Sequence, residues 1–357
     1  MAEHFHALTV AEVVPETDEA VSIRFTVPPE LTETYRFKPG QHVTLMGIVD
    51  GEEVRRNYSL CIAPADGALK VTVKRIAGGA FSNWANDNVK PGDKLAVMPP
   101  HGSFTVPFAP GNARRYVAIA GGSGITPILS LIRTALETEP ASRFTLFYGN
   151  RDSRSIIFLE ALAELKDRYM GRLELFHFLA EEAGDVPLFN GMLDAQRCAE
   201  AVDQLVPDTG AVDAWFICGP GPMMDAAESV LLERGIERGR IHIERFTAGR
   251  PSAGEAAAIA RVQQQAAGQT IAVTLDGRTR QIAFDGGNIL DSARKAGMPA
   301  PFACKAGVCA TCRAKLVSGT VEMAANYGLT DEEVAEGYVL TCQSVPTSEG
   351  VTVDYDV

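Results

Sequence analysis

Four of the seven cysteines in this 357-residue chain fall in one pattern: Cys304, Cys309 and Cys312 in CKAGVCATC, and Cys342 alone in YVLTCQS. Four thiolates can hold zinc or iron, so spacing has to choose between them. Structural zinc usually takes two close cysteine pairs, whereas here three ligands share one loop and the fourth arrives from far along the chain. The spacing C-x4-C-x2-C with a distant fourth cysteine is that of a 2Fe-2S cluster. Ala303, Ala306, Gly307, Ala310 and Thr311 around the ligands are small, which lets backbone amides point at thiolates and sulfides. The expected chemistry is transfer of one electron at a time; zinc binding and inert buried thiols are the alternatives. Cys61 and Cys198 read as small buried hydrophobes. Cys218, between the strand pattern AWFIC and GPGPMM, reads as a site residue.

A one-electron carrier needs a source of electrons, and three further motifs suit one. In RRNYSL, the Tyr58 face can stack on an isoalloxazine ring, Ser59 can hydrogen-bond it, and Arg56 can pair with a diphosphate. In GGAFSNW, the amides of Gly78 and Gly79 and the Ser82 hydroxyl can cradle the same diphosphate. In AGGSGITP, Gly121, Gly122 and Gly124 allow phosphates to approach a helix N-terminus, with Thr126 expected as N-cap and Pro127 as first helical residue. CGPGPM, with Cys218 and Gly219, offers a second glycine turn suited to the nicotinamide half of the ligand. Taken singly these also read as a strand edge and tight turns. After FTLFYGN, Arg151 and Arg154 with Ser153 and Ser155 suit a 2′-phosphate, although Asp152 can instead bind a ribose hydroxyl or pair on the surface. NADPH is therefore expected, with NADH the alternative.

Three styles of sequence must position these residues. From Phe5 to about Phe108 the apolar period is two, clearest in VSIRFTV, with Pro-Gly and Asp-Gly punctuation, which predicts an antiparallel barrel. From Arg114 to Glu244 apolar runs such as RRYVAIA and RFTLFYG alternate with helical segments such as TPILSLIRTALE, which predicts a parallel sheet covered by helices. The small-residue run 247–269 reads as a linker holding a short helix. Beyond it, IAVTLDGRTRQIAF predicts a hairpin about Asp-Gly, and NILDSARKAG a short helix stopping at Gly297. The expected domains are 1–110, 111–246 and 270–357, joined by that linker.

A net charge of -12 argues against nucleic acid and anionic membrane partners, and no apolar run is long enough for a membrane span. With reduced cysteines and no export signal, a cytoplasmic location is expected. No nucleophile, base and acid come together in the motifs. Glu174 and His177 make one E-x-x-H, but on a strand pattern, whereas a diiron carboxylate site needs two such pairs on helices. The acidic run LTDEEVAEGY reads first as a capping box of Thr330 and Glu333.

In order, Arg56-x-Tyr58-Ser59, GGAFS, GGSGITP, CGPGPM and CKAGVCATC resemble the ferredoxin-NADP reductase superfamily fused to a plant-type ferredoxin domain, over nearly the whole chain. More narrowly, RFKPGQHVTL, EVRRNYSL, VKRIAGGAFSNW and YGNRDSRSIIF look like the reductase components of phenylacetyl-CoA 1,2-epoxidase complexes, which serve phenylacetate catabolism; ketosteroid hydroxylase reductases share the motif order. The resemblance implies an FAD-binding antiparallel β-barrel, an α/β nucleotide-binding domain and an α+β ferredoxin-type β-grasp domain. It implies electron flow from NAD(P)H through FAD and the 2Fe-2S cluster to a separate diiron oxygenase. It also implies that Ser59 and Cys218 lie at the flavin–nicotinamide contact and Phe246 near the flavin; the other reading of Phe246 is a domain-boundary core residue. A zinc-binding module, or an electron-transfer protein that reduces NAD(P), are the competing readings.

Overall fold

The computed structural model describes residues 5–246 and 253–357. Two compact units divide the chain, one made of His6–Val54 and Tyr58–Glu244, the other mainly of the chain from Arg245 onward. In the first, strands β1 (His6–Thr17), β2 (Ala20–Thr26), β3 (His42–Val49), β4 (Glu52–Ser59), β5 (Leu69–Lys74) and β6 (Lys94–Val97) form one sheet in the order β4-β3-β6-β1-β2-β5. Leu60, just past β4, bridges Val71 of β5 and so joins the two edges, closing the barrel. The period of two sends Ile23 and Phe25 inward to meet Leu8, Leu45 and Val73. Helix α1 (Ala80–Asn88) buries Phe81 and Ala85 against the barrel.

The same unit holds a five-stranded parallel sheet. Its strands and helices alternate: β7 (Arg115–Gly121), α2 (Ile125–Thr138), β8 (Arg143–Asn150), α3 (Leu159–Arg168), β9 (Leu173–Leu179), α4 (Ala195–Leu205), β10 (Ala214–Cys218), α5 (Gly221–Glu233) and β11 (Ile241–Glu244). The order β11-β10-β7-β8-β9 reverses direction between β7 and β10. Strand β7 is buried on both faces: Tyr116, Ala118 and Ala120 point into one core with α2 and α3, Val117 and Ile119 into another with α4 and α5. Barrel and sheet are packed together, since Ala20, Cys61 and Phe104 belong to the core of α2 and β10, and the Ser130 hydroxyl donates to the Ile62 carbonyl at 2.6 Å.

The second unit contains α6 (Ala253–Ala266), β12 (Thr270–Leu275), β13 (Arg278–Ala283), α7 (Ile289–Lys295), β14 (Arg313–Ser318), β15 (Val321–Met323), α8 (Asp331–Ala335), β16 (Tyr338–Leu340), β17 (Ser344–Pro346) and β18 (Thr352–Asp354). Its main sheet has the order β13-β12-β18-β14-β16, with β12 and β18 parallel, and β15 pairs with β17 separately. The Asp-Gly hairpin forms as expected, with Asp276 at φ 52° and Gly277 at φ 69°, both in the left-handed region this tight turn requires. Residues 247–252 of the expected linker lie outside the described residues. The helix within that stretch runs to 14 residues, and its end is part of the unit's core through Val262 and the buried Ala266. Among the described residues no helix is long and apolar enough to cross a membrane.

Candidate functional site

The carboxyl ends of β7 and β10, where the sheet order reverses, carry the two glycine turns, the usual place for a ligand in such sheets. Most of these glycines serve the packing of one turn on the other. A Cβ on Gly121 would lie 2.7 Å from Pro220, and one on Gly219 2.6 Å from Met223 Cε and 2.9 Å from the Gly121 nitrogen. Gly122 is the exception: it sits at φ 51°, and a Cβ there would meet only the Lys74 ammonium, at 3.5 Å. Thr126 is not the N-cap. Gly122–Gly124 wind into a 3-10 turn that lets α2 begin at Ile125 with Gly124 as its cap, so Thr126 lies in the first turn and donates its hydroxyl to the Ser123 carbonyl at 2.9 Å.

Next to these turns the buried Ser59 hydroxyl donates to Glu244 Oε2 at 3.3 Å, joining the end of β4 to the end of β11. Glu244 Oε1 stands 3.5 Å from His42 Nδ1. Cys218 is fully buried, and its thiol is pushed well up by burial and by the Glu244 carboxylate. The structure thus brings Ser59 and Cys218 together around Glu244, a residue no motif marked. Cys61 and Cys198 are buried as expected, burial raising their thiols to about 11 and about 12.

Tyr58 is half-buried with its ring 5.7 Å from Phe81. Arg56 is exposed, and its guanidinium donates to the Arg55 carbonyl at 2.7 Å. Gly78, at φ 71°, faces open space, and Gly79 caps α1, whose first amides have no partner within the helix. Ser82 is engaged by its own turn: its hydroxyl accepts from the Ile76 amide at 3.2 Å and lies 3.4 Å from the Gly79 carbonyl. A Cβ on Gly79 would fall 2.5 Å from that hydroxyl, so the second glycine makes room for Ser82.

At the tip of β8 the Asn150 amide is buried with neither its nitrogen nor its oxygen hydrogen-bonded, an arrangement that suits an added polar ligand. Arg151 beside it is held by carboxylates, Asp152 at 3.3 Å and Glu19 at 3.7 Å. Ser155 is engaged with Asp152 through both its amide and its hydroxyl, and the Ser153 amide donates to Glu182 at 2.8 Å.

In the second unit the four cysteines form two thiol pairs, Cys304 with Cys309 and Cys312 with Cys342. Two pairs suit a centre of two irons, each taking two of the four thiolates. The neighbouring thiol, then burial, holds Cys304 and Cys312 above the ordinary range, while the Cys312 contact lowers Cys342. The Ala306 amide donates to Cys304 Sγ at 3.3 Å and the Cys304 amide to Cys309 Sγ at 3.5 Å. Lys305, Gly307 and Ala310 all have positive φ, which curls the loop so that its amides turn inward. Behind the loop a buried chain that sequence reasoning missed runs from Tyr355 through the Thr341 hydroxyl to the Cys312 carbonyl, at 2.8 Å for each bond. Gln343 donates to the Lys305 carbonyl at 3.0 Å and reaches Cys342 Sγ at 3.6 Å. The Thr330–Glu333 capping box forms at α8, and Glu174 and His177 lie on β9, both as read from sequence. Phe246 is 37% exposed, so it is not a core residue.

Three domain families match the chain in order: an oxidoreductase FAD-binding domain over residues 8–106, an oxidoreductase NAD-binding domain over 118–229, and a 2Fe-2S iron-sulfur cluster binding domain over 273–347. The chain is 46% identical over 354 residues to one component of the 1,2-phenylacetyl-CoA epoxidase of Escherichia coli strain K12, covering 99% of this chain and 98% of that protein. It is 38% identical over 371 residues to the ferredoxin reductase component of the 3-ketosteroid-9-alpha-monooxygenase of Mycobacterium tuberculosis strain CDC 1551 / Oshkosh, covering 100% and 97%. The solved structure of phthalate dioxygenase reductase shares the fold over 98% of both chains, with a TM-score of 0.60 at 24% identity. With three cofactor-binding domains in this order and such identity from end to end, the chain belongs to the family of FAD-, NAD- and 2Fe-2S-binding reductase components of multicomponent oxygenases.

Proposed function

We propose that this reductase serves a phenylacetyl-CoA 1,2-epoxidase, a diiron oxygenase, in the cytoplasm. The observation that carries the reading is the 46% end-to-end identity to an epoxidase component, against 38% for the ketosteroid reductase, which is the second reading. Reconstitution with each oxygenase, following phenylacetyl-CoA consumption against a ketosteroid control, tests it. Turnover with the ketosteroid hydroxylase alone would refute the epoxidase assignment.

When bound, FAD accepts a hydride and releases its electrons singly, and the 2Fe-2S cluster carries one at a time. The chain's own residues bind and orient. Tyr58 offers a ring face to the flavin; Arg56, Gly78, Gly79 and the first amides of α1 offer donors to its diphosphate, with Ser82 shaping that turn. Gly122 leaves the dinucleotide phosphates room beside Lys74, a cation that complements them. Gly121, Gly124, Thr126 and Gly219 shape the two turns that frame this space. Ser59, Cys218 and Glu244 line the place where nicotinamide and flavin meet, and Phe246 belongs near the flavin. Asn150, Arg151 and Arg154 receive the adenosine end, with NADPH as the preferred nucleotide. Cys304, Cys309, Cys312 and Cys342 hold the cluster.

A further inference from the structure

Cys312 and Cys342 are backed by a row of hydrogen bonds that binding of the cofactors leaves without a role. Thr341, next to Cys342, donates to the Cys312 carbonyl twice, from its hydroxyl at 2.8 Å and from its amide at 3.2 Å. The Thr341 carbonyl accepts in turn from the Leu290 amide in the first turn of α7, at 3.1 Å. Tyr355, just past β18, is anchored by its own amide, which donates to the Thr274 carbonyl of β12 at 3.0 Å. Its hydroxyl meets the Thr341 hydroxyl at 2.8 Å. Tyr355 is 6%, Thr341 0% and Cys312 3% exposed, so water does not screen this row.

The direction of each bond follows from the groups themselves. A carbonyl only accepts, so the single hydrogen of the Thr341 hydroxyl goes to Cys312. The bond between the two hydroxyls must then be donated by the tyrosine. Burial, with the nearby Cys312 and Cys342 charges, raises the Tyr355 pKa, so the phenol keeps its hydrogen. The two O–H bonds and the Cys312 C=O bond therefore point the same way, each with its positive end toward Cys312.

We infer that Tyr355 and Thr341 are positioning residues that raise the reduction potential of the centre held by the four cysteines. The inference rests on the ligand assignment given above. Each electron that the centre takes up adds one negative charge beside buried groups, and a row of dipoles with its positive ends turned that way lowers the cost of that charge. Hydrogen bonds and burial are the levers by which a protein sets such a potential. The double contact from Thr341 also ties the Cys312 backbone to the residue before Cys342, so the pair keeps its geometry as the charge changes. Tyr355 acts only through Thr341, by polarising the hydroxyl that reaches Cys312.

The test measures the midpoint potential of the centre in the full-length holoprotein, by redox titration followed by electron paramagnetic resonance, with the flavin potential as internal control. Tyr355→Phe keeps the ring and removes one hydroxyl. At full iron and sulfide content this variant should favour the oxidised form more than wild type by about threefold to tenfold, roughly 30–60 mV by the one-electron conversion, with the flavin potential unchanged. Thr341→Val should lower the potential at least as far, and Thr341→Ser, which keeps the hydroxyl, should hold the wild-type value. Adding Tyr355→Phe to Thr341→Val should bring no further shift, because the tyrosine acts through the threonine. An unchanged or raised potential in Tyr355→Phe, or additive shifts in the double variant, would overturn the inference. Should Tyr355→Phe fail to hold the centre, Thr341→Val against Thr341→Ser decides, and equal potentials would overturn it. A full centre in Cys342→Ala would remove Cys342 from the ligand set instead, so the two failures are distinguishable.

Discussion

Gly124 lies so close to Cys218 that a Cβ on the glycine would be 2.0 Å from the cysteine carbonyl oxygen. The turn after β7 and the end of β10 therefore touch backbone to backbone, and this contact fixes the width of the gap at which a dinucleotide enters. Gly124→Ala must push the two turns apart, at a cost of about 1–3 kcal/mol as for overpacked cores, seen as a lowered melting temperature together with weaker NADPH binding. Gly122→Ala, at an open position with φ 51°, should destabilise by only about 1–2 kcal/mol through its left-handed backbone. Equal stability of Gly124→Ala and wild type would show that the turns are not in contact.

The paired thiols lead to a second expectation. Cys309→Ala and Cys342→Ala each remove a ligand from one pair, so visible absorption of the cluster and reduction of cytochrome c should both disappear. Reduction of ferricyanide by NADPH should continue, because the barrel and parallel sheet form a compact unit with its own cores. Parallel loss of both activities would show that the first unit depends on the second for its fold.

A buried carboxylate sets part of the acid stability. Glu139, at the end of α2, accepts from the Asn112 amide, the Ser142 and Tyr116 hydroxyls and the Ala109 backbone amide. Burial raises its pKa, but these donors outweigh burial and hold it below the ordinary value of 4.5. A folded-state pKa below the unfolded one gives stability that is complete above about pH 4.5 and is lost as pH falls through the folded value. Glu139→Gln should cost about 1.5–3 kcal/mol at neutral pH, and the difference from wild type should shrink as the pH drops below 4.5. A difference that stays constant down to about pH 3 would mean that Glu139 is not ionised in the native state.

Much of the fold is legible because it is written in local periods: VSIRFTV becomes β2, HVTLMGI lies in β3, LKVTVKR covers β5, and TLDGRTRQ is the β12–β13 hairpin. The cysteine loop is legible because its spacing is itself the ligand geometry. Glu244 is not, since its partner Ser59 lies 185 residues away and nothing in IHIERF sets it apart from any strand-end carboxylate. His42 and Lys74 escape for the same reason, each becoming informative only when the barrel closes. The glycine turns are legible as turns, but sequence does not tell which glycines face a ligand and which face another turn. Thr126 takes a place other than the expected cap because the flexible residues before it wind into a tight turn that starts the helix early.

The last expectation concerns nucleotide choice at the tip of β8. The sequence marks Arg151 as a partner for a 2′-phosphate, yet it stands between Asp152 and Glu19, and hydrogen bonding to Asp152 with the Glu19 charge strengthens its hold on its proton. A phosphate must therefore compete with two carboxylates for this guanidinium. Asp152 also caps the turn that carries Ser155, accepting from the Ser155 amide at 2.9 Å, a bond that asparagine can keep. Asp152→Asn should accordingly remove the competing charge without opening the turn, lowering the KM for NADPH by about threefold to tenfold and leaving that for NADH nearly unchanged. Arg151→Ala should act the other way, raising the KM for NADPH by roughly tenfold with little effect on NADH. Steady-state kinetics with both nucleotides decides the matter: equal effects on the two, or a wild-type preference for NADH, would remove Arg151 from the phosphate site.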